Sequence, residues 1–538
     1  MDAEKDQWYR RRWWALVFLG ISLLVISLDT TVVNLALPSI SRKLNASSSE
    51  LQWVVDAYIL VFASTLLTLG SIGDRIGRKK TLQIGLVGFF IFSLGGALAN
   101  SSEMLISMRA LMGLAGSAMM PATLSIITAT FREPRERAQA IALWAAVFAL
   151  GSGIGPLVGG YLLEHFEWHS VFLINLPVLA IGLGGGYFFI QDSRDEHPRQ
   201  VDLVGSLLSI VGLFALVYGI IEAGQTSWTE PKVLYAFGAA AAVLGAFAVS
   251  EWRSSHPMLP LAFFRNMSFT GANMALTLVS FAMFGVMFFV SQYFQSVQEY
   301  TPLQAGVRLL PMAGMSFLAA VLSARIALRF GTKVTVALGI MIAAGGLFYL
   351  FGIAEVETSY GMVVIGMCGT SLGMGLTMSP ATNSVMGSLP VDKAGIGSAM
   401  NDTTRMLGGA LGIAVLGTIM NGIYIDRIDA GLGALPQPIL EAARSSIQGA
   451  HIIAGKLASG EIPGVDPSLA GTIVATSNQA FVSGMTRAMM VGGIIMAVTS
   501  VLAFIIVPAR VQAARQDAPA VVHRGQPAPE KVPADRDP

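Results

Sequence analysis

The chain has 538 residues, of which 54% are apolar and 12% are charged, and its mean hydropathy is +0.64. Soluble domains carry about 25% charged residues, so this composition excludes a soluble protein and indicates a polytopic membrane protein. The net charge of +1 gives no indication of nucleic-acid binding, because the Lys and Arg residues lie in short loops rather than on one patch, and we expect no nucleic-acid partner. The single cysteine, Cys368, excludes an intramolecular disulfide and suggests no cysteine metal site.

The first apolar run follows a short charged N-terminus, residues 1–12, which we expect to be cytoplasmic. The run is too long for a signal peptide and lacks a small-residue cleavage site, so we interpret it as a retained first span. Stretches of about 20 apolar residues predict fourteen transmembrane helices in an all-α protein. Their approximate ranges are 13–37, 51–72, 82–99, 104–130, 138–163, 169–190, 202–222, 233–250, 267–291, 303–327, 333–353, 359–386, 394–421 and 485–507.

Basic residues lie mainly in alternate loops, around 75–80, 132–137 and 325–333. The intervening loops carry few basic residues, and Arg42 and Lys43 are the exception. The positive-inside rule therefore predicts that both termini are cytoplasmic. Residues 511–538 are rich in Ala, Pro and charge, which predicts a disordered cytoplasmic tail.

A long outer segment, 422–484, separates the last two predicted spans. Its helix-compatible run at 438–454 is followed by breakers at Gly460, Pro463 and Pro467. Two interpretations remain open: a small helical hairpin over the outer mouth, or a floppy extracellular loop.

Two loops resemble each other in sequence. GSIGDRIGRKK follows the second predicted span and ARIALRFGTKV follows the tenth. Such an echo is typical of transporters built from two related halves with the substrate between them. It predicts a six-helix bundle at 13–190, two inserted helices at 202–250 and a second six-helix bundle at 267–507.

Three ionisable side chains share one depth in the outer half of the bilayer. At about 1.5 Å per residue, Asp29 lies about 12 Å, Asp56 about 8 Å and Arg109 about 8 Å below the outer ends of their spans. A carboxylate buried alone in lipid costs at least ~2.5 kcal/mol, so we expect the three to lie together. Their uncompensated negative charge would be met by a proton or by a cationic substrate.

Simpler interpretations exist for the same residues. Asp56 could be hydrated at the outer interface, and Asp29 with Arg109 could form a purely structural ion pair. Trp53 and Tyr58 flank Asp56, and their aromatic faces would attract a soft cation, although an interfacial aromatic belt explains Trp53 equally well.

Three further ionisable residues are secondary candidates. Asp402 and Arg405 are three residues apart on one helix, where they can pair with each other, and we favour that local pair over a coupling role. Glu222 ends the seventh span, and we interpret it as an interfacial residue rather than a site.

The fifth span contains the glycine-rich run GSGIGPLVGGYL, whose small residues allow close helix approach while its proline permits bending. We predict an outer seal against the tenth span, with ordinary tight packing as the alternative. The residues concerned are Gly151, Gly155, Pro156, Gly159 and Gly160, with Gly153 among them.

Five motifs in order resemble those of a known family. GSIGDRIGRKK resembles the loop signature of the major facilitator superfamily, and GSGIGPLVGGYL resembles the antiporter signature of its drug exporters. RALMGLAGSAMMPATLSII and LDTTVVNLALP resemble two further signatures. WVVDAYIL is similar to the form found in fourteen-helix exporters of quaternary ammonium compounds.

The resemblance implies the major facilitator fold and roles for individual residues. It implies proton coupling for Asp29 and Arg109 and cation recognition for Asp56. It also implies a cytoplasmic gate in which Asp74, able to cap a helix N-terminus, latches onto the other half. The gate residues are Gly70, Gly73, Asp74, Arg75, Gly77, Arg78 and Lys79.

These observations predict a proton-coupled multidrug efflux antiporter that exports lipophilic cations such as quaternary ammonium compounds, dyes and antiseptics by alternating access. The alternative is an exporter of an endogenous metabolite, lipid or natural product with the same coupling. No metal-binding helix, activated nucleophile or phosphate loop suggests an enzyme. We expect a monomer in the plasma membrane, surrounded by the lipid bilayer, with no cofactor and with the proton gradient as its energy source.

Overall fold

The computed structural model describes residues 11–44, 46, 48–194, 202–254, 257, 259–390, 393–462 and 465–509. Most of the predicted N-terminal segment 1–12 and the whole predicted tail 511–538 lie outside this part. In chain order its helices are α1 Arg12–Leu44, α2 Ser48–Ile76, α3 Arg78–Ala97, α4 Ser102–Thr130, α5 Pro134–His165, α6 Ser170–Phe189, α7 Leu203–Gln225, α8 Pro231–Arg253, α9 Met267–Gln292, α10 Pro302–Phe330, α11 Thr332–Ile353, α12 Tyr360–Gly387, α13 Ala394–Leu432, α14 Gln437–Ser445, α15 Ile447–Ala458 and α16 Leu469–Ile506.

Fourteen of the helices in the described residues are long and apolar enough to cross a bilayer, as predicted. These are α1–α13 and α16. The largest difference from the sequence prediction is at the end of the chain, where the last helix begins at Leu469 rather than near 485. Its first turns carry Ser477, Asn478 and Gln479, which lower the local hydropathy without interrupting the helix.

The segment predicted at 422–484 is largely helical where the structure describes it. The outer end of α13 is followed by the short helices α14 and α15, and α15 packs on α16. The Tyr424 hydroxyl donates to the Ala443 carbonyl at 2.8 Å, and Gln448 donates to Ser296 at 3.1 Å. The segment is therefore a folded element docked on the second bundle.

Two hydrophobic cores define two helical bundles. One core consists mainly of side chains from α1 to α6, and the other is built from α9 to α16. The bundles meet along α5 with α10 and along α2 with α13. The pair α7–α8 lies outside both cores, with α7 packed against α2 and α13. Tyr235 and Trp252 on α8 are 79% and 78% exposed, as expected of a lipid-facing helix.

Candidate functional site

A buried ion pair joins α1 to α4. Arg109 Nη1 lies 2.5 Å from Asp29 Oδ2, and the residues are 1% and 0% exposed. Arg109 Nε also donates to the Val54 carbonyl of α2 at 3.0 Å. The predicted pairing of the two charges is therefore present in the structure, and it ties three helices of the first bundle together.

The second oxygen of the same carboxylate is held by a neutral side chain. Asn175 Nδ2 donates to Asp29 Oδ1 at 3.1 Å and lies equally close to the Ser93 hydroxyl, which itself donates to the Phe172 carbonyl at 3.0 Å. Asn175 is 2% exposed, at the start of the main part of α6. Both oxygens of Asp29 thus have a hydrogen-bond donor.

Tyr58 belongs to this buried group. Its ring lies 4.4 Å from the guanidinium carbon of Arg109 and stacks on Phe62 with the ring centroids 5.5 Å apart. Such a cation–π contact stabilises a buried guanidinium through electrostatic attraction to the aromatic face. Tyr58 therefore contacts Arg109, and it is not among the described residues that line the cavity beside Asp56.

Asp56 faces the other side of α2. Residues two apart on a helix differ by about 200° in direction, so Asp56 points away from Val54 and Tyr58. It lines a cavity of about 600 Å³ between the two bundles. Apolar side chains make up most of the wall, to which α1, α2, α7, α9, α13, α16 and the tips of α14 and α15 contribute. Representative lining residues are Ile221, Phe284, Gln292, Met406, Met420 and Phe481.

The structure does not bring all the predicted charges together. Asp29 and Arg109 pair, whereas Asp56 lies on a separate face, because equal depth along three helices does not fix the direction of each side chain. Trp53 is 38% exposed and is not among the residues that line the cavity in the described part of the chain. Glu222 is half-buried on α7, beside the lining residue Ile221 but outside the wall itself.

An intramolecular latch connects the bundles at the end of α2. The Asp74 carboxylate accepts hydrogen bonds from the backbone nitrogens of Gly395 at 2.7 Å and Ile396 at 3.3 Å, in the first turn of α13. Arg78 Nε also donates to Asp74 at 2.8 Å. A carboxylate at a helix N-terminus satisfies otherwise unpaired N–H groups and meets the positive end of the helix dipole. The latch is closed in this structure.

Glycines make this approach between helices close enough. A Cβ on Gly70 would come within 2.7 Å of the Gly395 carbonyl.

The turn after α2 also depends on a glycine. Gly77 has φ +114°, and a Cβ there would lie 2.9 Å from the Asp192 carboxylate. The backbone N–H of Arg78 donates to Ser193 at 2.9 Å, and Lys79 Nζ donates to Tyr187 at 2.7 Å. Arg75 is exposed at the end of α2.

We expect Gly70→Ala to open the latch. The added methyl group collides with the backbone of α13, and such overpacking costs about 1–3 kcal/mol, enough to shift the population by about 5- to 150-fold. The measurement is the rate at which a thiol reagent labels Ser398→Cys, a fully buried position one turn beyond Gly395, in a Cys368→Ser background. The rate should rise.

Gly73→Ala is the matched control, because its Cβ would meet Thr81 at 3.4 Å, an ordinary contact. Equal labelling rates in the two alanine variants would contradict the latch.

The glycine-rich run of α5 has two working faces. Gly151, Gly155 and Gly159 lie against α1, where a Cβ on Gly155 would overlap the Thr31 hydroxyl. Gly153 and Gly160 lie against α10, opposite Ala313 and Leu303, and Pro156 contacts Gly306. Only the second face joins the two bundles. Of the residues in the predicted seal, Gly153, Pro156 and Gly160 therefore contact the tenth span, while the other three glycines pack within the first bundle.

Comparison with known proteins identifies the family. The family model described as "Major Facilitator Superfamily" matches residues 19–413, which is most of the chain. The chain belongs to the Major Facilitator Superfamily. Its fold, and the fourteen helices of its described residues that are long and apolar enough to cross a bilayer, are those of a multi-pass membrane protein of this superfamily.

Curated members of the superfamily are similar over most of their length. The tetracenomycin C resistance and export protein of Streptomyces glaucescens is 32% identical over 92% of this chain and 91% of its own. The multidrug efflux pump LfrA of Mycolicibacterium smegmatis is 35% identical over 83% of this chain and 88% of its own.

Solved structures of the superfamily share the fold. The human organic anion transporter MFSD10 has a TM-score of 0.59 at 12% identity, covering 91% of this chain and 99% of its own. The proton:xylose symporter XylE has a TM-score of 0.58 at 13% identity, covering 92% and 96%. At these identities the likeness concerns the fold alone.

In this member of the superfamily, sequence reasoning missed Asn175, the second partner of Asp29. It is a neutral residue in the segment WHSVFLINLP, so no charge drew attention to it. The signal that could have found it is an amide flanked by apolar residues inside a span, since such a group needs a hydrogen-bond partner.

Proposed function

We propose that this protein exports lipophilic cations, including drug-like quaternary ammonium compounds and dyes, by exchange for protons across the plasma membrane. The observation that carries the proposal is the Asp56 carboxylate in the wall of a largely apolar cavity shared by both bundles. The protein would act without a cofactor and as a monomer. Both termini would be cytoplasmic, which puts the Asp74 latch on the cytoplasmic side.

The cavity suits a soft cation of variable outline. Its volume of about 600 Å³ lies within the usual range of small-molecule sites, which is about 300–1,000 Å³. Met406 and Met420 supply flexible, polarisable surface, while Phe284 and Phe481 supply aromatic surface. In such surroundings one carboxylate supplies the charge, and apolar contacts supply most of the remaining affinity.

The Asp29 site suits a proton. Its carboxylate is fully buried in this state, and its two oxygens are hydrogen-bonded to Arg109 and Asn175. Arg109 connects it to the Val54 carbonyl, two residues from Asp56 on the same helix. A change of protonation at Asp29 would change the hydrogen bond between Arg109 and the Val54 carbonyl of α2. A shift of α2 would in turn move the cavity wall that contains Asp56.

In the proposed transport cycle, the closed latch corresponds to a state that is closed on the cytoplasmic side. With Asp74 bound to α13, the cytoplasmic ends of α2 and α13 are held together, while the cavity lies nearer their outer ends. Opening the latch would expose the site to the cytoplasm for loading. Proton flow down its gradient would then drive the return, as alternating access requires.

A second candidate function is export of an endogenous natural product with the same coupling. The observation in its favour is the relative whose name specifies tetracenomycin C export and which matches 92% of this chain. A neutral or anionic product would gain nothing from Asp56, so the charge dependence of transport separates the two candidates.

We expect Asp56→Asn to raise the half-saturating ethidium concentration at least about fivefold, since a carboxylate–cation pair in a partly buried site contributes about 1–4 kcal/mol. The measurement is ethidium uptake into inside-out vesicles with an imposed pH gradient. Asp56→Glu should retain most of the affinity.

Asp426→Asn removes an exposed carboxylate from α13 and serves as the control. Unchanged ethidium kinetics in Asp56→Asn would count against a cation site at this position and favour the natural-product exporter.

A further inference from the structure

A second buried charge cluster lies on α13, one turn below the cavity wall. Asp402 is 0% exposed and Arg405 is 2% exposed. Asn401 Nδ2 donates to Asp402 Oδ1 at 3.0 Å, and the Thr382 hydroxyl of α12 donates to Asn401 Oδ1 at 3.0 Å. The cluster joins two helices of the second bundle and lies apart from Asp29 and Arg109, which belong to the first.

The ion pair in this cluster is incomplete. Arg405 Nη1 lies 3.7 Å from Asp402 Oδ1, beyond hydrogen-bond distance. Within the described residues, Asp402 Oδ2 and Arg405 Nε are buried without a hydrogen-bond partner. By contrast, both oxygens of Asp29 are hydrogen-bonded. An ionised carboxylate held so loosely away from water is unfavourable, and taking up a proton relieves that cost.

The surroundings of Asp402 can accept this change of charge. Among the described residues, Arg405 is the charged group that acts on it. The neighbouring helices contribute Thr382 on α12 and Trp144 and Phe148 on α5, all uncharged. The guanidinium carbon of Arg405 lies 4.6 Å from the ring centroid of Phe148 and 5.8 Å from that of Trp144. If Asp402 becomes neutral, these aromatic faces still stabilise the Arg405 cation.

Space and position indicate a proton rather than a larger ligand. Met406, one turn further along α13, lines the cavity, whereas Asp402 does not. Ser398 lies one turn before Asp402 and is fully buried, and its hydroxyl has no hydrogen-bond partner among the described residues. Gly395 of the latch lies a further turn towards the start of α13. One helix therefore carries the latch, the buried carboxylate and the cavity wall.

We propose that Asp402 is a second proton-carrying carboxylate, so that each transport cycle moves one proton more than Asp29 alone can carry. The proposal rests on the proposed proton-coupled export. In the step itself the Asp402 carboxylate binds one proton to become a neutral carboxylic acid, and Arg405 keeps its charge against Phe148. Release of the same proton on the opposite side restores the loose ion pair.

The test counts protons in proteoliposomes containing the full chain. With the membrane potential clamped at zero, the logarithm of the steady-state ethidium gradient rises with the pH difference, and its slope equals the number of coupled protons. Asp402→Asn should lower that slope by one, which is about a tenfold smaller gradient per pH unit. Asp426→Asn, on the same helix but exposed, should keep the wild-type slope.

The outcomes separate the two proposals. A wild-type protein without gradient-driven ethidium movement overturns the proposed function itself. A wild-type protein that transports, with the same slope in Asp402→Asn, overturns only the role of Asp402. If Asp402→Asn does not transport, the count is made in detergent: ethidium binding should release one proton fewer from the variant than from the wild type, and equal release overturns the inference.

Discussion

Asp29→Asn is expected to abolish gradient-driven export while leaving substrate exchange intact. Asparagine fills the same space but cannot bind and release a proton, so the variant keeps the site permanently in its neutral form. The cavity with Asp56 is on the opposite face of α2 and should still bind the cation. We expect uptake driven by a pH gradient to fall to background, a loss of about a hundredfold or more, which is typical when a proton-transfer group is removed.

Two assays on the same preparation check this expectation. Gradient-driven ethidium uptake reports coupling, and exchange of labelled for unlabelled ethidium without a gradient reports binding and conformational change. Asp426→Asn should leave both at the wild-type level. Wild-type gradient-driven uptake in Asp29→Asn would remove Asp29 from the coupling mechanism, and loss of both activities would show that the residue is needed for structure instead.

The membrane-crossing helices were predictable because hydrophobic length is a one-dimensional property. The number of spans and most boundaries follow from runs of about 20 apolar residues. The start of α16 was predicted too late because its polar residues resemble a loop on a hydropathy scale, yet a helix held by α15 tolerates them. Tertiary packing, which the sequence does not display, decides that boundary.

The pairing of Asp29 with Arg109 was predictable from the free-energy cost of burying an isolated charge in lipid. A carboxylate and a guanidinium at one depth in lipid have few other partners, so each is expected to find the other. The separation of Asp56 was not predictable, because depth fixes only the position along the helix axis. The direction of a side chain depends on which helix lies against which face, and that depends on the packing of all the helices.

The loop and glycine motifs show the same limit. Asp74 was expected to cap a helix, and the structure identifies that helix as α13 of the other bundle. For the α5 glycines, closeness to a partner was predictable, whereas the division of the run between α1 and α10 was not. Alternate glycines point in different directions on a helix, so one motif serves two interfaces.

The second large effect is expected from a substitution at the interface between α5 and α10. A Cβ on Gly153 would overlap the Cβ of Ala313, where the two bundles touch. We expect Gly153→Ala to force α5 from α10, since overpacking costs about 1–3 kcal/mol and a tight interface cannot absorb a methyl group. An imposed pH gradient should collapse faster in proteoliposomes containing the variant, and gradient-driven ethidium uptake should fall at least about fivefold.

The contact between Gly153 and Ala313 also provides a control for Gly153→Ala. In the double variant Gly153→Ala with Ala313→Gly, the methyl group has only moved from α10 to α5, so the helices can return to their original separation. Gly314→Ala adds a methyl group next to Ala313, where no side chain or backbone lies within 4 Å, and should have no effect. A double variant that leaks as much as Gly153→Ala would show that Gly153 matters for a reason other than its contact with α10. The seal would then have to be assigned to other residues of α5 that contact α10, such as Pro156 and Gly160.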